Sequence, residues 1–358
     1  MIYLNHAAAG VLPRVTRVAT KAFVDAHAER GVLGVAEYEA RLDEYRRIVG
    51  ELIGASSDEI AFLRATSDGA NAIAGGLDWV PGDEVILGDD EFGANAYPWL
   101  ALRERGVSIR FVQTERERLT PDALRRVIGP RTRLVAVSWV GFRDGYRHDL
   151  AALGEIARAA GSLFVVDAIQ ALGAFPLDVR AFPCDALYAG GAKWLLALQG
   201  ISFLYVRAAL LDRLKVRAPG WRSVSDIWDF LNYEQPLARF ASRYEAGTPN
   251  FIGALSLATS VALLRKHDVP AIASHVLSLT DRLCEGLARR GARIASVRAE
   301  AARSGIVTFS LDGVDSLSLG ARLAGAGICV TYRANGIRVS PHGYNSADEI
   351  DALLELLV

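Results

Sequence analysis

The run Leu163-Phe164-Val165-Val166-Asp167 is the clearest strand pattern in the sequence. Four consecutive apolar residues that include two β-branched ones are typical of a parallel strand buried on both faces. Three similar short runs precede it, at Glu84–Leu87, Ser108–Val112 and Leu134–Ser138. We expect all four runs to be strands of one mostly parallel sheet that is buried on both faces.

Helical periodicity separates these runs. The segments Pro121–Ile128 and Leu150–Ala160 carry apolar residues at intervals of three and four, which predicts amphipathic helices. Strand and helix patterns alternate from about residue 58 to residue 210. This alternation predicts an α/β fold in which a mostly parallel sheet lies between helices.

The pattern changes after residue 250. Two long helical patterns, Ile252–Lys266 and Ala271–Arg290, lead into two alternating strands, Gly305–Leu311 and Gly336–Ser340. Such a succession predicts a smaller α+β domain.

The length of the chain also predicts two domains. A single core seldom grows beyond about 250 to 300 residues, and this chain has 358. We expect a large cofactor-binding domain of residues 20–250 and a small domain of residues 251–358, which residues 1–19 join.

Composition excludes several classes of partner. The chain has 40 Lys+Arg and 41 Asp+Glu, so its net charge favours neither nucleic acid nor an anionic membrane surface. A small molecule is the expected partner. The N-terminus lacks a basic region followed by an apolar run, and no stretch approaches the roughly 20 apolar residues that span a bilayer. We therefore expect a cytoplasmic protein.

The three cysteines predict neither a disulfide framework nor a metal site. Cys184, Cys284 and Cys329 are odd in number and lack the spacing of metal ligands. We expect buried or inert thiols.

One lysine lies among small and apolar residues at the expected end of a strand. The segment is Leu187-Tyr188-Ala189-Gly190-Gly191-Ala192-Lys193-Trp194. Such neighbours lower the pKa of a lysine by desolvation and make its amine a nucleophile that forms Schiff bases. The alternative is a structural lysine that extends from the edge of the core.

Two further segments could bind the same ligand as this lysine. Asp167 ends a buried strand, and a buried carboxylate needs a cationic partner, which a protonated pyridine ring supplies. Thr66 and Ser67 open an Ala-rich helix, where hydroxyls and free amides form a seat for phosphate. Taken alone, Asp167 fits an ordinary helix cap equally well, and a segment such as Thr66-Ser67 is more commonly an ordinary N-cap than a phosphate site. Together with Lys193 they predict a pyridoxal 5′-phosphate (PLP) site at the carboxyl edge of the sheet.

The chain resembles the class V aminotransferase family of fold-type I PLP enzymes, which includes cysteine desulfurases, selenocysteine lyases and isopenicillin N epimerase-like proteins. Three blocks carry the resemblance, Tyr3–Gly10, Ser242–Asn250 and Ile337–Asn345. They cover nearly the whole chain.

The resemblance implies a role for each matching residue. Lys193 would hold the cofactor aldehyde, and Arg338 would bind the substrate α-carboxylate, which suits its planar fork. The family's other cofactor contacts would be Thr66 and Ser67 to the phosphate, Asp167 to the ring nitrogen, Gln170 to the ring hydroxyl, Phe92 stacked on the ring, and Thr248 to the phosphate of the neighbouring subunit. The resemblance therefore also implies a homodimer with its active site at the interface.

Two departures from the family pattern bear on activity. Desulfurases carry a mobile cysteine shortly before the carboxylate-binding arginine, and residues 330–338 contain none. Cys329 lies in an apolar run, which favours a buried core thiol. Many relatives have Ser-x-His-Lys where this chain has Gly190-Gly191-Ala192-Lys193, so one phosphate hydrogen bond is expected to be lost.

The sequence thus predicts a PLP-dependent enzyme that acts on an amino acid through a Schiff base with the cofactor, the external aldimine. An aminotransferase, lyase or epimerase of specialised metabolism is favoured because the desulfurase cysteine is missing. The alternatives are a cysteine or selenocysteine lyase without a catalytic cysteine, and a non-catalytic PLP-binding sensor.

Overall fold

The computed structural model describes residues 1–112 and 118–357. Its strands are β1 (Ile2–Tyr3), β2 (Ile60–Leu63), β3 (Glu84–Gly88), β4 (Ser108–Val112), β5 (Thr132–Ser138), β6 (Leu163–Asp167), β7 (Ala186–Gly190), β8 (Ser202–Val206), β9 (Arg293–Ile294), β10 (Val307–Ser310), β11 (Ile328–Cys329), β12 (Thr331–Arg333) and β13 (Gly336–Val339). Its α-helices are α1 (Arg14–Arg30), α2 (Val32–Glu39), α3 (Leu42–Leu52), α4 (Thr66–Gly76), α5 (Tyr97–Leu100), α6 (Pro121–Val127), α7 (Leu150–Ala159), α8 (Ala208–Leu211), α9 (Phe251–Lys266), α10 (Val269–Arg289), α11 (Ser316–Gly325) and α12 (Ala347–Glu355).

A seven-stranded sheet forms the centre of the molecule, in the order β2-β8-β7-β6-β5-β3-β4. The pairs from β7 to β4 are parallel, whereas β8 is antiparallel to both of its neighbours. Helices cover the sheet, so the predicted α/β fold is confirmed.

Two apolar cores cover the two faces of this sheet because side chains alternate along each strand. On β6, Phe164 and Val166 join one core, while Leu163 and Val165 join the other. The first core also holds α3 and α9, whose residues pack against each other. This double burial explains the continuous apolar run on which the fold was predicted.

The expectation of burial on both faces is wrong for β4. Ser108 and Arg110 are exposed, because β4 lies at the edge of the sheet and pairs only with β3. An edge strand tolerates polar side chains on its open face.

The C-terminal part contains a four-stranded antiparallel sheet, in the order β12-β13-β10-β9. A third apolar core lies between it and helices α10 and α12, and Leu4 belongs to that core. Strand β1 pairs in parallel with β11, while Ala7 belongs to the first core. The N-terminal segment therefore joins the two parts of the chain, and the division at residues 250 and 251 stays a prediction.

Within the described ranges, none of the helices is long and apolar enough to cross a membrane.

Candidate active site

The carboxyl edge of the central sheet gathers the residues on which the cofactor prediction rests. Strand β6 ends at Asp167, β7 ends just before Lys193, and α4 begins at Thr66 directly after β2. In register, Asp167 lies between Ser138 of β5 and Tyr188 of β7. Open parallel sheets bind their ligands at this edge.

Asp167 has one carboxylate oxygen with a partner and one without. Its side chain is 1% exposed. The Oδ1 atom accepts a hydrogen bond from the backbone N–H of Ile169 at 2.9 Å, whereas Oδ2 is buried and has no hydrogen-bond partner among the described residues. Burial raises the pKa of Asp167 to about 6, although the Ile169 N–H and the Lys193 cation lower it.

A buried carboxylate oxygen without a partner needs a donor or a cation. The protonated ring nitrogen of PLP is both, so Oδ2 of Asp167 fits that group.

Lys193 has a depressed pKa. Burial lowers the pKa of its amine to about 8, the negative charge of Asp167 opposes the shift, and the positive charge of Arg338 adds to it. The Nζ atom lies 5.6 Å from the centre of the Phe92 ring. An amine with this pKa is partly neutral near neutral pH, as a nucleophile or a general base must be.

The N-terminal segment holds the Lys193 backbone in place. The N–H of Gly10 donates to the carbonyl of Ala192 at 2.7 Å. A Cβ atom on residue 10 would lie 2.2 Å from the Lys193 carbonyl oxygen. Glycine is therefore required at residue 10 because the two backbones approach so closely.

The depressed pKa of Lys193 predicts how the cofactor-free protein reacts with PLP at different pH. Only the neutral amine attacks the aldehyde, so the rate of Schiff-base formation should rise with pH and level off above about 8. Stopped-flow absorbance of the cofactor from pH 6 to 10.5 measures this profile. A midpoint near 10.5, the ordinary lysine value, would contradict the burial of the amine.

The predicted phosphate seat lies at the start of α4. The first amides of a helix have no partner within the helix, and the side chain of Ala65 provides no cap. Thr66 is buried. Ser67 lines a cavity of about 420 Å³ that Phe92 also lines. The hydroxyls and amides that an anion needs are thus present at this end of α4.

The missing serine of the Ser-x-His-Lys pattern has a local explanation. A Cβ atom on Gly190 would lie 2.9 Å from Cδ1 of Ile169 and 3.4 Å from Oγ1 of Thr66. Ile169 therefore fills the space of a side chain at residue 190. The Thr66 hydroxyl lies beside that space.

Gln170 is buried and held at both ends of its amide. Its Nε2 donates to the carbonyl of Ala7 at 3.0 Å, and its Oε1 accepts from Nε1 of Trp194 at 3.0 Å. A primary amide has two N–H donors, so one donor of Gln170 is not used in these two bonds.

Phe92 and Thr248 lie in different cavities of the chain. Phe92 is 48% exposed and contacts Phe142 edge to face, with 5.2 Å between ring centres. Thr248 is exposed and lines a second cavity with Asp68, which shares Asn71 with the cavity of Ser67 and Phe92.

Arg338 lies on β13 at the boundary with the large sheet. Its Nη1 donates to the carbonyl of Phe142 at 2.6 Å and its Nη2 to Oγ1 of Thr331 at 3.3 Å. Its Nε is buried and has no partner among the described residues. Burial and the neighbouring Arg333 lower its pKa to about 10. A guanidinium with an unpaired donor suits a carboxylate ligand.

Sequence reasoning did not find the role of Glu91, which adjoins Phe92. Its carboxylate accepts from the N–H of Ser138 at 2.7 Å, from Oγ of Ser138 at 2.5 Å and from Nδ2 of Asn95 at 2.8 Å. Burial raises its pKa to about 8, and the charge of Asp167 adds to the shift. These bonds connect the Phe92 segment to the end of β5. The only sequence signal was an acidic residue next to the expected ring-stacking position.

Cys329 is held in regular structure. It belongs to β11 and pairs with Tyr3 of β1, and its Sγ lies 4.0 Å from Nδ2 of Asn5. Cys184 is buried, while Cys284 and Cys329 are partly buried, and all three are free thiols.

Comparisons with known proteins agree with the geometry. The family model described as aminotransferase class-V matches residues 2–353. The chain is 31% identical to a probable cysteine desulfurase of Methanothermobacter thermautotrophicus, over 99% of this chain and 94% of that protein. It is 32% identical to the uncharacterized aminotransferase YcbU of Bacillus subtilis, over 85% and 80% of the two chains. Among solved structures, the apo cysteine desulfurase of Thermococcus onnurineus NA1 has a TM-score of 0.90 and 28% identity, over 99% of this chain and 93% of that one.

Proposed function

The chain belongs to the class V aminotransferase family, and we propose that Lys193 is the residue through which this PLP-dependent enzyme acts on its amino acid. PLP is the cofactor of the family and of this enzyme. The observation that carries the proposal is the buried, unpartnered Oδ2 of Asp167, whose charge interacts with Lys193.

The remaining contacts follow from the positions of the side chains. Thr66 and Ser67 would bind the phosphate at the start of α4, and Gln170 would donate its free N–H to the ring hydroxyl. Phe92 would cover one face of the ring, at the mouth of the cavity. Arg338 would bind the substrate α-carboxylate with Nε and part of its fork, because Phe142 and Thr331 fix the orientation of the guanidinium.

When bound, PLP supplies an electron sink for the charge that develops at the substrate α-carbon. Oδ2 of Asp167 keeps the ring nitrogen protonated and balances its charge. Lys193, with its lowered pKa, removes and returns the α-proton. The hydrogen bond from the N–H of Gly10 to the Ala192 carbonyl helps to hold the Lys193 backbone in position.

The structure favours a reaction that needs no cysteine nucleophile. Strands β12 and β13 form a tight hairpin joined by residues 334 and 335, so the segment before Arg338 is short and contains no cysteine. Cys329 lies in a paired strand. An aminotransferase, lyase or epimerase reaction is therefore proposed, with specialised metabolism as its setting.

The second candidate is a cysteine or selenocysteine lyase that needs no catalytic cysteine. It is supported by the similarity to proteins named cysteine desulfurase over nearly the full chain.

Titration of the holoenzyme with a panel of amino acids tests the proposal. The visible absorbance of the cofactor should change with a defined set of amino acids, and the product should show which bond is broken. Release of sulfide from cysteine, unchanged in a Cys329→Ser control, would select the second candidate. No spectral change with any amino acid would contradict the proposed function.

We also propose a homodimer in which Thr248 reaches the phosphate of the neighbouring subunit. Its support is the exposure of Thr248 and a set of large apolar side chains exposed in one segment. These side chains are Trp228 at 63%, Phe230 at 63%, Leu231 at 83% and Tyr233 at 86% exposure. Such a concentration is typical of a surface that another protein covers. A monomer in sedimentation equilibrium would contradict the dimer. The cytoplasmic location stays a prediction.

A further inference from the structure

One face of the C-terminal sheet is polar and cationic. In antiparallel register Arg338 pairs with Thr308 of β10 and with Thr331 of β12. Directly opposed residues share a face, and residues two apart on a strand share it as well. Thr308, Thr331, Arg333 and Arg338 therefore lie on the same face. The opposite face carries Ile337, which is fully buried in the third core.

This cationic face borders a cavity of about 130 Å³ at the boundary with the large sheet. Phe142 and Arg143 line the cavity from the large-sheet side, and the Arg143 carbonyl accepts a hydrogen bond from Oγ1 of Thr308 at 2.6 Å. None of the described lining residues is acidic. The cavity contacts the candidate active site through Phe142, which packs against Phe92.

The two arginines of the face differ in their contacts. Arg338 is partly buried and fixed by Phe142 and Thr331. Arg333 is exposed, and no carboxylate of the described residues forms an ion pair with it. Its positive charge acts on Arg338 across the cavity. Two like charges that face one cavity repel each other unless anions lie between them.

We propose that the substrate is an amino acid with an anionic side chain, whose second carboxylate binds Arg333 while its α-carboxylate binds Arg338. The inference rests on the proposed function, because it assumes that Arg338 receives the α-carboxylate. A single α-carboxylate neutralises only Arg338 among the arginines that line the cavity, and a second anionic group would neutralise Arg333 on the same face of the sheet. Thr308, Thr331 and Asn335 provide further polar contacts along the cavity wall. A hydrogen bond to a charged group is strong enough to make an acidic amino acid bind roughly ten- to hundredfold more tightly than its amide.

Calorimetric titration of the holoenzyme with two matched pairs tests the inference. The pairs are L-aspartate with L-asparagine and L-glutamate with L-glutamine, which differ in charge and hardly in size. At least one acid should bind roughly tenfold or more tightly than its amide. In Arg333→Ala this ratio should fall to about one. In the control Arg293→Ala, an exposed arginine of β9 in the same sheet, the ratio should persist.

Three results would overturn the inference. Equal binding of acid and amide to the unaltered enzyme would do so, as would a preference that survives Arg333→Ala. Both leave the proposed function intact, since amino acids still bind. Absence of binding and of any absorbance change with the whole amino acid panel would overturn the proposed function, and the inference with it.

Discussion

Replacing Lys193 by alanine is expected to lower turnover of the responsive amino acid by at least about 10³-fold. The variant loses the group that holds the cofactor covalently and the base that moves the α-proton, and general base catalysis alone contributes roughly 10²- to 10⁴-fold. PLP should still bind through Asp167 and the start of α4, but without the absorbance of a Schiff base with the protein. Turnover and the visible spectrum of the variant measure both effects.

Replacing a lysine outside the site shows whether the effect is specific to Lys193. The chain has four lysines, Lys21, Lys193, Lys215 and Lys266. Lys21 is exposed on α1, so Lys21→Ala should leave the spectrum and turnover unchanged. A Lys193→Ala protein with normal turnover would show that another group performs the chemistry.

Replacing Asp167 by asparagine is expected to lower turnover by about 10²- to 10³-fold. Asparagine keeps an oxygen for the Ile169 N–H but removes the charge that balances the ring nitrogen. Loss of one preorganised electrostatic group typically costs about 2.7 to 4 kcal/mol of transition-state stabilisation. Steady-state kinetics should show the loss mainly in kcat, because the phosphate and aldehyde contacts of the cofactor are unchanged.

Although Asp167→Asn should lower turnover, it should not lower the stability of the cofactor-free protein above about pH 6. The pKa of Asp167 is raised above its unfolded value of 3.8 to about 6. Its contribution to stability is therefore present at low pH and is lost as the pH rises through about 6. Above that pH, Asp167→Asn should be at least as stable as the unaltered protein in thermal unfolding. A clear loss of stability at pH 8 would contradict the assignment of an unsatisfied carboxylate.

Asp185, a buried aspartate that directly precedes β7, provides the control. Its Oδ2 accepts from the N–H of Phe164 at 2.8 Å, and its Oδ1 accepts from Nε of Arg207 at 3.1 Å. Both oxygens have partners, so Asp185→Asn should lower the free energy of unfolding, by about 1 to 3 kcal/mol. It should leave the cofactor spectrum unchanged.

The apolar runs predicted the large sheet well because burial on both faces leaves a direct trace in the sequence. Each of the four runs that were read as strands is a strand. The error at β4 concerned its place in the sheet. Its apolar content resembles that of an inner strand, and only pairing shows that no strand follows it.

The sequence did not predict those contacts of the site that join segments far apart in the chain. Arg338 donates to Phe142, 196 residues away along the chain, and Gln170 donates to Ala7, 163 residues away. Such contacts depend on tertiary packing, which no local pattern encodes. Glu91 was missed for the same reason, since its acceptor role depends on the end of β5. The cationic face of the C-terminal sheet likewise required the register of three strands.

Reduction of the holoenzyme with sodium borohydride, followed by peptide mass spectrometry, shows which lysine holds the cofactor. Reduction converts a Schiff base between a lysine and the cofactor into a stable pyridoxyl-lysine. We expect the pyridoxyl group on Lys193 alone. Its presence on Lys21, Lys215 or Lys266 instead, or the absence of any modified peptide, would contradict it.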